Sequence, residues 1–140
     1  MNVLRLSIPP VPRFAQTARS ALSMFAGFHR LPKQDEENLV FALGEAVANA
    51  IQHAATDAAI EIKFNMYGDS IVAKVRDRGQ GFTPPAGSVS LPSLFAEAGR
   101  GFAIMQRCTD FLDVASKPGS GTIVTFGRYR REPTERAPAS

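Results

Sequence analysis

Cys108 is the only cysteine in the 140 residues, so no disulfide can form within the chain. No apolar run approaches the length needed to span a bilayer. The opening, Met1-Asn-Val-Leu-Arg-Leu-Ser-Ile8, is too short and too charged for the apolar region of a signal peptide. A cytoplasmic protein without a membrane partner is the expectation. Charge of one sign is also scarce: the formal net charge is only +3, and part of the excess sits near the end in Arg128, Arg130, Arg131 and Arg136. No basic stripe interleaved with aromatics appears, so direct nucleic-acid binding is not expected. There is no internal repeat. What remains is ordinary globular composition, 44% hydrophobic and 21% charged, at the usual length of one domain.

The order of elements follows from periodicity. Leu4, Leu6 and Ile8 alternate with polar positions and predict a strand ending at Pro9-Pro10. Phe14, Ala18, Ala21, Leu22, Phe25 and Phe28 recur at helical spacing, predicting a helix over 12–29 that stops before Pro32. A second helix is expected from an N-cap at Asp35 to about Ala54, its apolar face carrying Leu39, Leu43, Val47 and Ile51. Ile60, Ile62, Phe64 and Met66 alternate with polar residues, and Gly68-Asp69 turns into a strand over Ile71–Arg76, an antiparallel hairpin. Residues 83–98, rich in Pro, Gly and Ser, read as a functional loop or lid. A short helix from near Gly101 to Cys108 and strands at Phe111–Ala115 and Thr122–Tyr129 complete the domain. Adjacent strands joined by tight turns make the sheet largely antiparallel, so the helices must cover one face: a two-layer α/β sandwich over 1–131. The tail 132–140 is expected to be disordered.

Four segments bear on chemistry. Glu45, Asn49 and His53 stand at successive i, i+4 positions and so share one helix face. A carboxylate and an amide oxygen there can share hydrated magnesium, although an isolated pattern of this kind is more often a solvated face. Small residues at Gly44, Ala46, Ala48 and Ala50 leave room along the stripe. Asp77 continues the parity of Ile71, Ala73 and Val75, which points it inward at the strand end, where a buried carboxylate needs a dedicated partner. That partner is either a ligand amine or a backbone amide in a turn. Asp77-Arg-Gly-Gln-Gly-Phe82 follows a strand and Gly99-Arg-Gly-Phe102 opens a helix, whose backbone amides suit phosphate, with Arg100 adding charge. Gly119-Ser-Gly-Thr122 reads first as a hairpin turn.

In this order, the four segments resemble the N, G1, G2 and G3 boxes of the GHKL ATPase superfamily. Within it they are most similar to the bacterial anti-sigma-factor serine kinases. Gly44-Glu-Ala-Val-Ala-Asn-Ala-Ile-Gln-His53, Asp77-Arg-Gly-Gln-Gly-Phe82 and Gly99-Arg-Gly-Phe-Ala-Ile-Met105 carry the resemblance, which runs from residue 3 to 130. It implies a Bergerat-type ATP-binding fold with ATP and Mg2+ as cofactors. Asn49 would hold the magnesium, and Glu45 would be the general base toward a serine hydroxyl. Asp77 would accept from the adenine amino group with Thr122 in support. Gly79 and Gly81 would admit the base, Gly99 and Gly101 would cradle phosphate beside Arg100, and His53 would line the pocket.

The implied partners are a STAS-domain antagonist and a sigma factor, with a homodimer often found in the family. Three alternatives compete: a switch kinase that activates a phosphatase, the catalytic part of a histidine kinase, and a nucleotide-binding adaptor without activity. Histidine kinases resemble one another in placing asparagine where this chain has Glu45, which counts against the second. Glu45 and Asn49 together count against the third.

Overall fold

The computed structural model describes residues 1–54, 57–79, 81 and 99–130, and the side chains of 99–102 are outside that description. The expected lid over 83–98, the 132–140 tail and the Arg100 side chain therefore lie outside the described residues. Five strands form one sheet in the order β1-β2-β3-β5-β4, every neighbouring pair antiparallel. The strands are β1 (Val3–Ile8), β2 (Ile60–Met66), β3 (Ser70–Asp77), β4 (Phe111–Lys117) and β5 (Gly121–Tyr129). Helices α1 (Ala15–Phe28), α2 (Lys33–Gln52) and α3 (Gly99–Cys108) accompany them.

Alternation decides which face is inside. On β2, Ile60, Ile62 and Phe64 are buried, and on β3 Ile71, Ala73, Val75 and Asp77 are buried, while Glu61, Lys74 and Arg76 are exposed. Ala18, Leu22 and Phe25 of α1 and Leu39, Leu43, Val47 and Ala50 of α2 close the same core at helical spacing. Burying each of the larger of these side chains is worth roughly 1.5–3 kcal/mol. The described helices thus take one face, and among the described residues the other face is open, as the alternation required.

Several boundaries differ from the sequence reading. The first helix is a 3₁₀ turn, Pro12–Phe14, followed by α1. Pro fixes φ and has no N–H, so it suits such a start. Helix α2 begins at Lys33, not after Asp35. Pro32 is its N-cap, and Asp35 lies in the first turn and is buried. The Asp35 carboxylate is engaged by Arg128, whose Nε donates to Oδ1 at 3.1 Å. Helix α1 ends with Leu31 N–H donating to Ala26 O at 3.0 Å and Arg30 N–H to Gly27 O at 3.0 Å. This pairing requires a left-handed residue, and Arg30 supplies it at φ 57° where glycine is usual.

Of the C-terminal arginines, the two among the described residues are engaged by the fold. Arg128 is committed to Asp35 and to the Cys108 carbonyl, and Arg130 donates to the His29 carbonyl at 3.0 Å.

Candidate functional site

The end of β3 meets the C-terminal end of α2. Asp77 is 8% exposed, on the inward face that its parity predicts. Its Oδ1 accepts the Gly79 N–H at 2.8 Å, and the Thr122 N–H across the β3–β5 pair also donates to the carboxylate. Burial pushes the Asp77 carboxyl above its ordinary value of 3.8, while the two amides and the nearby His53 pull the other way. The group is thus a desolvated acid held rigidly by the chain's own backbone.

The glycines here answer to close approaches within the protein. A Cβ at Gly79 would stand 2.6 Å from the His53 carbonyl oxygen, so this glycine lets α2 touch the β3 end. Gly81 has φ 69°, and a Cβ there would collide with the Lys117 carbonyl in the β4–β5 turn. Thr122 contributes its N–H to Asp77, whereas its hydroxyl lies 2.9 Å from Ser116 Oγ, which also donates to Gly121 O at 3.0 Å. Sequence reasoning missed Ser116. A serine beside a hairpin turn looks ordinary until the register pairs it with Thr122.

On α2, Glu45 and Asn49 are half-buried on one face, and His53 is the exposed C-cap whose N–H donates to Asn49 O at 3.1 Å. The Asn49 Oδ1 is buried and has no hydrogen-bond partner among the described residues. Such an acceptor costs about 1–3 kcal/mol unless water, a ligand or a residue outside the described ones satisfies it. Glu45 likewise makes no hydrogen bond or ion pair among the described residues. The small residues of the stripe serve packing more than access: Ala46 and Ala50 are in the core, and the Arg19 side chain comes to 3.4 Å from where a Gly44 Cβ would sit. Helix α3, which carries Gly99 and Gly101, packs on α2.

A family model, "Histidine kinase-like ATPase domain", matches residues 8–128. The chain belongs to the histidine kinase-like ATPase family. This ATPase domain is 29% identical over 136 residues to an anti-sigma F factor of Thermoanaerobacter, covering 91% of the chain and 94% of that protein. It is 26% identical over 140 residues to the serine-protein kinase RsbW of Bacillus subtilis, covering 91% and 86%. Among solved structures, the RsbU and RsbW domains of a Mycobacterium tuberculosis protein share the fold with a TM-score of 0.73 at 23% identity, over 94% of this chain and 34% of that one. A histidine kinase domain from Erythrobacter litoralis shares it at 0.56 and 22% identity, over 86% of this chain and 61% of that one.

Against that family, the ATPase domain brings Asn49, His53, Asp77, Gly79 and Thr122 to one junction of α2 with the β3–β5 end. Glu45 stands one turn back along α2 on the Asn49 face. The orphaned Asn49 oxygen fits a group that brings a cation or a donor, as a magnesium nucleotide does. Among the described residues no cluster of three or more His, Cys, Asp or Glu side chains could hold a metal on its own. A metal here would take most of its ligands from phosphate and water, which is the habit of magnesium. Among the described residues, no helix is long and apolar enough to cross a membrane.

Proposed function

We propose that the chain is an ATP-dependent protein serine/threonine kinase that regulates a sigma factor. It binds the factor and phosphorylates a STAS-type anti-sigma antagonist, and it acts in the cytoplasm. The observation that carries this reading is the pairing, on one helix face, of the half-buried Glu45 carboxylate with the Asn49 oxygen, neither of which has a partner among the described residues. The likeness to anti-sigma F factors and serine-protein kinases along nearly the whole chain supports it.

Asp77 reads adenine in this account. Its carboxylate is fixed by two amides and accepts from the exocyclic amine; guanine would present a carbonyl to it and be rejected. Asn49 would hold magnesium through Oδ1, and the ion when bound neutralises charge on the phosphates. Glu45 accepts the proton of the attacking serine hydroxyl, and it has no hydrogen-bond or ion-pair partner among the described residues that would occupy its lone pairs. Gly99 and Gly101 place backbone amides toward phosphate, with Arg100 supplying charge.

The test is single-turnover transfer from labelled ATP to a STAS-domain protein. Glu45→Gln should slow transfer by about 10²–10⁴-fold while nucleotide affinity stays near that of the wild type. Acid-stable label on the partner is expected. Acid-labile label, or undiminished transfer by the variant, would overturn the assignment.

A further inference from the structure

The open face of the sheet carries a feature the ATPase site does not use. Arg5 and Ser7 of β1, Glu61 and Lys63 of β2, and Lys74 and Arg76 of β3 line a concavity of about 400 Å³. The register sets Arg5 beside Lys63 and Lys63 beside Lys74, a row of three cations across three strands. In the next row Ser7 lies beside Glu61 and Glu61 beside Arg76. Like charges directly opposite one another destabilise a sheet, so local stability does not explain the row. Nor are the charges neutralised by ion pairs among the described residues. The ion pairs among the described residues are Lys33–Glu36 and Arg128–Asp35, and none of these four cations joins one. Four cations against one carboxylate is an excess as large as the formal charge of the whole chain, +3.

We propose that this face docks an acidic helix of a protein partner, laid across the strands. Strands stand about 4.8 Å apart, and side chains at i and i+4 on a helix stand about 5–6 Å apart. Carboxylates at i, i+4 and i+8 therefore meet Arg5, Lys63 and Lys74 in turn. Other occupants fit less well. A second copy seated face to face would set the same positive patch against itself. Single-stranded nucleic acid wants aromatic platforms, and no aromatic lines the concavity. A lone phosphate gains little from a sheet whose amides are already spent in the ladder. The inference does not depend on the kinase reading, because the patch lies on the face away from α2 and Asp77.

The probe is a fluorescent alanine-based helical peptide with Glu at every fourth position, followed by anisotropy at increasing salt. It should bind the wild-type chain, and weaken by about tenfold or more with Lys63→Glu/Lys74→Glu. Arg13→Glu/Arg107→Glu changes net charge equally at exposed sites elsewhere and should keep wild-type binding. Thermal melts establish folding, and Lys63→Gln/Lys74→Gln replaces the reversal if that variant is unfolded. Equal loss in both charge-reversed proteins would reduce the effect to net charge and overturn the site. So would no binding by the wild type, or tighter binding of oligo-dT than of the peptide. A dimer in sedimentation that Lys63→Glu/Lys74→Glu dissolves would instead make the face a self-interface.

Discussion

Arg128 on β5 bridges two helices: its Nε donates to Asp35 Oδ1 at 3.1 Å at the start of α2, and its Nη1 to the Cys108 carbonyl at 3.0 Å at the end of α3. The two charged side chains are 12% and 9% exposed, so solvent screens them little. Removing one partner of a buried pair typically costs about 3–5 kcal/mol. Arg128→Ala should lose stability toward the lower end of that range, since the Asp35 carboxylate retains some access to water. Denaturant unfolding measures it; a loss below about 1 kcal/mol would mean that the bridge is idle.

Asp77 gives a pH signature. Burial raises its folded-state pKa, so the folded protein holds this proton more tightly than the unfolded chain does. The stability tied to it is fully present below the ordinary value of 3.8 and declines as pH climbs through the raised one. Asp77→Asn has no such charge to desolvate. The stability difference between variant and wild type should therefore move in the variant's favour as pH rises from about 4 toward neutrality. Movement the other way in paired unfolding curves would show that the two amides outweigh the burial. At neutral pH the variant should also bind ATP more weakly.

Asn49→Ala separates metal from fold. The side chain's buried oxygen has no partner among the described residues, so its removal should not destabilise the nucleotide-free protein and should raise its stability by up to about 1–3 kcal/mol. Calorimetric titration with and without magnesium should find that the wild type gains ATP affinity from the ion and the variant does not. Equal gain in both would place the metal elsewhere.

Arg30 occupies a left-handed position at the close of α1 with φ 57°. An L-residue pays about 1–2 kcal/mol there, part of which glycine returns as unfolded-chain entropy. Arg30→Gly should raise stability by about 0.5–1 kcal/mol. An unchanged or lower melting temperature would mean that the arginine side chain repays its strain.

Local pattern was enough for much of this molecule. The alternation through Ile60–Met66 and Ile71–Val75 defined the central hairpin, and extending its parity by one step placed Asp77 inward. Helix spacing put Glu45 and Asn49 on one face. The misreadings have distant causes. Asp35 looked like an N-cap because its partner, Arg128, is 93 residues away. Ser116 was unremarkable until strand register set it against Thr122. The cations of the open face are scattered over β1, β2 and β3 and become neighbours only once those strands pair.

Among the described residues, the hydrogen bonds that orient the Asp77 carboxylate come from the main-chain N–H groups of Gly79 and Thr122. Almost any mutation leaves an amide in place, proline being the exception. If Asp77 reads the base as proposed, base preference would thereby be shielded from drift in the surrounding sequence: what surrounds Asp77 could change freely, provided the chain still followed the same path. The glycines guard that path. A side chain at residue 79 would push α2 off the strand end, and one at residue 81 would push away the β4–β5 turn. Selectivity in such a pocket is inherited through backbone geometry, and it is most readily lost by gaining a methyl group.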